Sequence, residues 1–145
     1  MLKMPKRVAF RKMAKRGRVK GYATPRLQFG DLGRMASEHG RVTARQLEAA
    51  RRVIRHRMAR QGKLWIRVFP QRSVTAKPTE VRMGGGAGSV KYWCAMVKPG
   101  TVRFELRGVQ GNVALVARGS GGKKLPVRVS MLRREMPLTA SYAVE

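Results

Sequence analysis

Apolar positions recur along the chain in two periods, and the switch between them predicts its elements. In "RVTARQLEAARRVIRHRMARQG", residues 41–62, Ala44, Leu47, Ala50, Ile54 and Met58 recur at helical spacing and share one face. Thr43 with Gln46 makes a capping box, and Gly62 is a natural C-terminal stop. Arg45, Arg52 and His56 lie opposite the apolar face, and Arg55 and Arg57 flank it. Arg51 projects into the apolar sector, where a charge must snorkel or find an anion. In "KLWIRVFP" the period shortens to two: Leu64, Ile66 and Val68 point one way, Trp65, Arg67 and Phe69 the other, until Pro70 ends the strand. A short strand at Ser73 to Ala76 follows, then strands at Val90 to Val97 and Thr101 to Arg107, which Pro99-Gly100 turns into a hairpin. Gln110 to Arg118 reads as a short second helix weakened by neighbouring glycines, and Leu125 to Leu132 as a final strand. There is no internal repeat. The order predicts an α+β domain, helices packed on a mostly antiparallel sheet, over residues 29–133. A basic N-terminal arm at 1–28 precedes it and a C-terminal tail at 134–145 follows it.

Charge narrows the functional classes. The chain has 145 residues, enough for one modest core, and 43% of them are apolar. Thirty-three Lys and Arg face seven Asp and Glu, a net charge of +26. Self-repulsion of that size disfavours a compact state unless a polyanion neutralises it, which points to nucleic acid. The arm carries much of this charge: Lys6, Arg7, Arg11, Lys12, Lys15, Arg16, Arg18 and Lys20 are basic, and the first acid is Asp31. The stretch lacks the serines of an organellar targeting peptide and is read as an RNA-binding arm. A single cysteine, Cys94, lies in an apolar run and is expected to be buried and inert. With His39 and His56 it offers no metal-ligand spacing, so no metal or other cofactor is expected. No apolar run approaches the roughly 18 residues of a membrane span and no signal-peptide core is seen, so a soluble protein in a reducing compartment is expected.

"VRMGGGAGSVKYW", residues 81–93, invites a phosphate-loop reading that fails. A Walker loop needs Lys then Ser or Thr directly after its last glycine, opening a helix; here Gly88 leads through Ser89 and Val90 to Lys91, opening a strand. The dinucleotide fingerprint fails too, because Ser89 stands where its third glycine belongs. The remaining readings are a flexible hairpin loop or a backbone that approaches a bulky ligand closely. The seven acids are scattered and no Ser or Cys has a histidine on a recognisable framework, so no enzyme is expected.

Several runs carry a family resemblance: "LKMPKRVAFRK", "LQFGDLG", "RVTARQLEAARR", "QGKLWIRVFPQRSVTAKPTEVRMG", "YWCAMVKPGTVRFELRGV" and, more briefly, "KKLPVRV". They resemble the bacterial-type large-subunit ribosomal protein sixteen family, the universal L-sixteen family related to the archaeal and eukaryotic L-ten-e proteins. The resemblance implies a structural rRNA-binding protein between the central protuberance and the aminoacyl-tRNA site, joining late in assembly beside neighbouring ribosomal proteins. It implies arm contacts at Lys6, Arg7, Arg11 and Lys12, helix contacts at Arg45, Arg51, Arg52 and Arg55, and a strand contact at Arg67. Arg82, Met83, Gly84, Gly85, Gly86, Ala87 and Gly88 then form the loop that reaches toward tRNA. Two departures stand out. Gly85 and Ala87 occupy positions where the family usually has lysines, leaving Arg82 as the strong cation at the loop base and Lys91 beyond it. The segment after Val109 lacks the family's acid- and alanine-rich helix.

These departures suggest rewired rRNA and favour a mitochondrial ribosome over a bacterial cytoplasm or a plastid. The main competing function is a free RNA-binding protein or RNA chaperone, which should show an exposed aromatic platform. Aromatic residues are only 6% of the chain and most fall in strands that read as core, so phosphate and shape recognition are expected to dominate. A membrane-surface protein is third, since the 43–60 helix has alanines where a bulky apolar face is needed. Neither a membrane partner nor a homo-oligomer is expected.

Overall fold

The computed structural model describes residues 2–14, 19–109 and 121–134. Its helix, α1, spans Ala44–Arg57. The strands are β1 (Leu32–Ala36), β2 (Gly40–Thr43), β3 (Lys63–Ile66), β4 (Arg72–Ala76), β5 (Ser89–Val97), β6 (Val102–Arg107) and β7 (Val129–Arg133). The capping box forms as the sequence predicts: Gln46 N–H donates to Thr43 Oγ1 at 3.2 Å and Thr43 N–H to Gln46 Oε1 at 2.9 Å. All five predicted face residues of α1 are buried. Four of them, Leu47, Ala50, Ile54 and Met58, make the core with Ala36, Val42, Val97, Phe104, Leu106, Leu125 and Val127. The helix ends before Gly62. Ala59 and Arg60 adopt left-handed backbone and bend the chain, while the amides of Ala59 and Gln61 bond back to His56 and Met58. Gly62 serves a different purpose. At φ +70 it lies against β6, where an added Cβ would sit 2.5 Å from the Arg107 carbonyl oxygen.

The strands form two antiparallel sheets rather than one, in the orders β3-β6-β1-β7 and β2-β5-β4. The predicted β5–β6 hairpin is therefore wrong. The Lys98–Thr101 turn exists, but both flanks of β5 are taken by β2 and β4, and both flanks of β6 by β1 and β3. The turn is also held from outside: Gly100 N–H donates to Ala36 O at 2.8 Å, Ala36 N–H to Thr101 O at 2.9 Å, and Ala23 N–H to Pro99 O at 2.8 Å. Such grips turn the chain out of one sheet and into the other. Strands β1 and β2 lie outside the predicted set, because "LGRMA" buries a glycine and an arginine and has no alternation, and four-residue β2 runs directly into the helix cap. The predicted second helix at 110–118 lies outside the described residues.

β6 carries the principal buried charge. Glu105 is wholly buried, and its carboxylate accepts the amides of Phe29 at 2.6 Å, Gly30 at 2.8 Å and Gln28 at 3.2 Å. Arg67 completes the set with an ion pair to the same carboxylate. Burial pushes the carboxyl pKa up, but the Gly30, Phe29 and Gln28 amides and Arg67 outweigh it, holding the group below its ordinary 4.5. Glu105 thereby pins the segment that joins the arm to β1 onto the sheet. Gly30 has no alternative, since a Cβ there would meet Leu106 O at 2.6 Å.

Glu105→Ala should therefore destabilise the domain by about 3–5 kcal/mol, because it strands the Arg67 charge and three amides without their acceptor. Urea unfolding checks this. A depressed folded pKa means that the stabilisation is complete above the unfolded value and is lost as pH falls through the folded one. The stability gap between parent and variant should hold steady above about pH 6 and narrow on acidification below about pH 4.5.

Candidate nucleic-acid interface

The arm lies along the sheet that contains β5. Arg72 Nη2 donates to Ala14 O at 3.5 Å, and Met13 and Ala14 line a groove with Arg41, Arg72, Cys94 and Met96. Cross-strand register builds this groove: Arg41 faces Met96 across β2–β5, and Arg72 faces Cys94 across β4–β5. Cys94 is buried, as the sequence predicts, and burial raises its thiol pKa. Nearer the start of the arm, Lys3 and Lys6 share a second cleft with Arg45 of α1 and with Lys91 and Tyr92 of β5. Residues distant in sequence thus converge into two cation-lined clefts along the arm. Lys6, Arg7, Arg11 and Lys20 are exposed along the arm, whereas Lys15, Arg16 and Arg18 lie outside the described residues.

The helix cations divide into two groups. Arg45 is exposed beside the arm. Arg51 bonds Glu48 in a bidentate pair at 2.7 and 2.9 Å, and Arg52 reaches the same carboxylate at 3.2 Å. The hydrogen bond from Arg51 is the main reason that the Glu48 pKa falls to about 2. Arg51 thus solves its place in the apolar sector with the helix's own acid. Arg55 donates to Gly62 O at 3.3 Å. Arg67 is committed to Glu105 and lies over the Phe29 ring, its carbon 5.5 Å from the centroid. One further cation has no counterpart among the predicted contacts. Arg103 is wholly buried, its guanidinium nitrogens have no hydrogen-bond partner, and burial, then Arg34, lowers its pKa to about 10, so it stays charged at neutral pH.

The glycine loop projects into open space. Arg82, Met83 and the run from Gly84 to Ala87 are exposed. Gly84, Gly85 and Gly86 adopt φ of +92, +62 and +76, and a Cβ on any of them would meet nothing within 4 Å. Their glycines answer to backbone conformation, not to a crowded site within this chain. Gly88 is the opposite case, since a Cβ there would strike the Ala76 carbonyl. Arg82 is not alone at the loop, where the sequence had offered it as the strong cation at the base. Lys12 of the arm donates to Ala87 O at 3.0 Å, and Lys77, just after β4, donates to Gly84 O. Both lysines arrive from outside the loop, and each ammonium has donors to spare.

Aromatic exposure also departs from expectation. Phe104 is core, but Phe10, Tyr22, Phe29, Phe69 and Tyr92 are exposed and Trp65 and Trp93 half-buried. Period-two alternation had placed several of these on strands; the opposite face of each strand, not the core, receives them. Among the described residues no helix is long and apolar enough to cross a membrane, and no group of three His, Cys, Asp or Glu could hold a metal ion.

The profile of Ribosomal protein L16p/L10e matches residues 5–132. The chain is 55% identical over 133 residues to "Large ribosomal subunit protein uL16" of Cereibacter sphaeroides, covering 90% of this chain and 96% of that one. Proteins of the same name from Chelativorans and Zymomonas mobilis are 53% and 52% identical over 132 residues, with 90% of this chain covered and 96% and 92% of theirs. A match spanning the arm, both sheets and the last strand places this chain in the Ribosomal protein L16p/L10e family.

Proposed function

We propose that this chain is a structural, non-enzymatic constituent of the large ribosomal subunit, held there by rRNA and neighbouring ribosomal proteins. The observation that carries this reading is the identity of 52–55% with bacterial proteins of that name over 90% of the chain. The surface supports it. Thirty-three cations against seven acids favour a polyanion partner, and arm cations share a cleft with Arg45 of α1 and Lys91 of β5. The arm at 1–28 is the principal anchor and residues 29–133 form the domain, with Arg45 and the arm cations on phosphates. The domain lies near the central protuberance and the aminoacyl-tRNA site, joins late in assembly, and directs the 82–88 loop toward tRNA. No cofactor, membrane or self-association takes part.

Two placements of the ribosome remain in competition. Departures in the loop and after Val109 favour a mitochondrial one, and the bacterial relatives favour the bacterial cytoplasm. The rRNA that co-purifies with the tagged protein decides between them. The free RNA chaperone gains one observation, the exposed aromatic side chains. Sedimentation separates it from the ribosomal reading, which requires the protein to travel with large subunits rather than at the top of the gradient.

Binding of the isolated protein to its rRNA should fall steeply with salt. Neutralising about six to ten phosphates costs roughly 10³- to 10⁵-fold in affinity between 50 and 200 mM on the duplex-DNA scale. A flat salt response in filter binding counts against phosphate anchoring. Deletion of residues 1–20 should leave the domain folded by circular dichroism, yet lose to full-length protein in competition for incorporation into subunits. Equal incorporation would remove the arm as an anchor. At the loop, Arg82→Ala should slow subunit maturation or aminoacyl-tRNA accommodation more than Ala87→Gly. Gly85→Lys with Ala87→Lys should be tolerated, at about 1 kcal/mol of local strain for a side chain at positive φ. Translation assays on these variants check the order. A silent Arg82→Ala beside an inactive double-lysine variant would place the loop against a crowded structural neighbour instead of tRNA.

A further inference from the structure

Phe10, Phe69 and Trp93 are far apart in sequence, but the fold brings them to one cleft. It lies between the arm and the surface formed by β5 and the β3–β4 connection, and encloses about 1120 Å³. Phe10 is 81% exposed and Phe69 40%, and Trp93 is half-buried. Among the described residues the ring contacts are Tyr22 with His39 and Phe29 with Trp65, so the three cleft rings are stacked on no other ring. The cleft's cations are Lys12, Arg67 and Arg72, and no acid lines it. Arg67 is spoken for by Glu105, whereas Lys12 and Arg72 each hold one backbone carbonyl and keep further N–H donors.

We propose that this cleft binds a single unpaired nucleotide of RNA, its base among Phe10, Phe69 and Trp93 and its flanking phosphates on Lys12 and Arg72. The proposal rests on the rRNA-binding reading and deepens it, because it adds base stacking to an interface otherwise built on phosphates. Three features select this occupant. Aromatic faces with no ring partner attract any base, since every base has a π-face. Cations at the cleft and no acid match the charge of a polynucleotide chain and exclude a basic segment of this same protein. The volume, about 1120 Å³, slightly exceeds the roughly 300–1,000 Å³ typical of small-ligand sites, so an extruded base with its sugar fits. A paired duplex presents phosphates and groove edges and leaves an apolar cleft unfilled, so the partner is a looped or bulged nucleotide.

Tryptophan fluorescence of the full-length chain tests this. Trp65→Phe leaves Trp93 as the sole tryptophan, and the unsubstituted chain is titrated alongside it as a folding control. The probes are an oligoadenylate of ten nucleotides and an abasic chain with the same number of phosphates. The base-bearing chain should quench Trp93 emission and the abasic chain should not. Phe10→Ala should weaken oligoadenylate binding roughly 5- to 100-fold, the range seen when one base–aromatic stack is removed. Phe10→Tyr should restore binding and Phe10→Leu should not. Equal quenching by the abasic chain overturns the proposal, leaving a phosphate site alone. Phe10→Leu binding as well as Phe10→Tyr also overturns it, and identifies the cleft as a seat for an apolar protein segment. Either result leaves salt-sensitive binding of both chains intact, whereas failure of both chains to bind defeats the broader rRNA reading as well.

Discussion

The buried carboxylate of Glu105 is the constraint on which the arrangement of arm and sheet depends. One acid in the middle of β6 gathers three consecutive backbone amides and one guanidinium. Removing any buried ion from water is costly, and this one is offset only because four donors converge on it. The donors come from two places: the junction of the arm with the domain, Gln28 to Gly30, and Arg67 just beyond β3. Glu105 therefore fixes where the arm leaves the domain and how β3 continues toward β4. Arg67 gains a partner in the same act, which withdraws one cation from a surface that has many.

That withdrawal is part of a wider division among cations. A chain with so few acids places them where they hold the most. Glu48 takes Arg51 and Arg52, Glu105 takes Arg67, Asp31 faces Arg107 at 4.0 Å, and Glu38 meets Arg128 at 3.2 Å. The exposed pairs add little to stability. They compensate only a few of the cations, and exposed charge such as Arg57, Arg60, Lys63, Lys123 and Lys124 lies outside these ion pairs. Folding in isolation still concentrates positive charge, and the buried Arg103 adds to it. Association with a polyanion relieves that repulsion, which ties stability of the domain to the partner that its charge selects.

The glycine loop shows how composition and geometry can point in different directions. Its tip has no charged side chain, but Lys12 and Lys77 bring ammonium groups to its carbonyls. Positive potential at the tip is thus assembled from two separate segments. Because Lys12 belongs to the arm, its hydrogen bond to Ala87 O brings the arm against the loop. Phe10, two residues from Lys12, faces the neighbouring cleft. Arm, loop and cleft therefore form one continuous surface, not three independent contacts.

Local order was legible because it depends on near neighbours. The capping box of Thr43 and Gln46, the apolar stripe of α1, the alternation through Leu64, Ile66 and Val68, and the burial of Cys94 all follow from spacing within a few residues. Charge alone pointed to nucleic acid, since net charge is a sum that needs no geometry. What the chain could not announce were relations between distant residues. The Pro99-Gly100 turn looks like a hairpin from its own residues, and only the hydrogen bonds from Ala23 and Ala36 send it into a second sheet. Arg67 and Arg51 look like free cations until Glu105 and Glu48 are brought beside them. The loop looks uncharged until Lys12 and Lys77 reach it, and Phe10 of the arm and the strand residues Phe69 and Trp93 look unrelated until the arm crosses the sheet. Periodicity and capping are encoded within a few residues, so the sequence by itself determined the helix, most of the strands and the class of partner. Pairing of buried charge and the meeting of remote side chains exist only after non-local backbone bonds have closed, so the tertiary structure alone decided them.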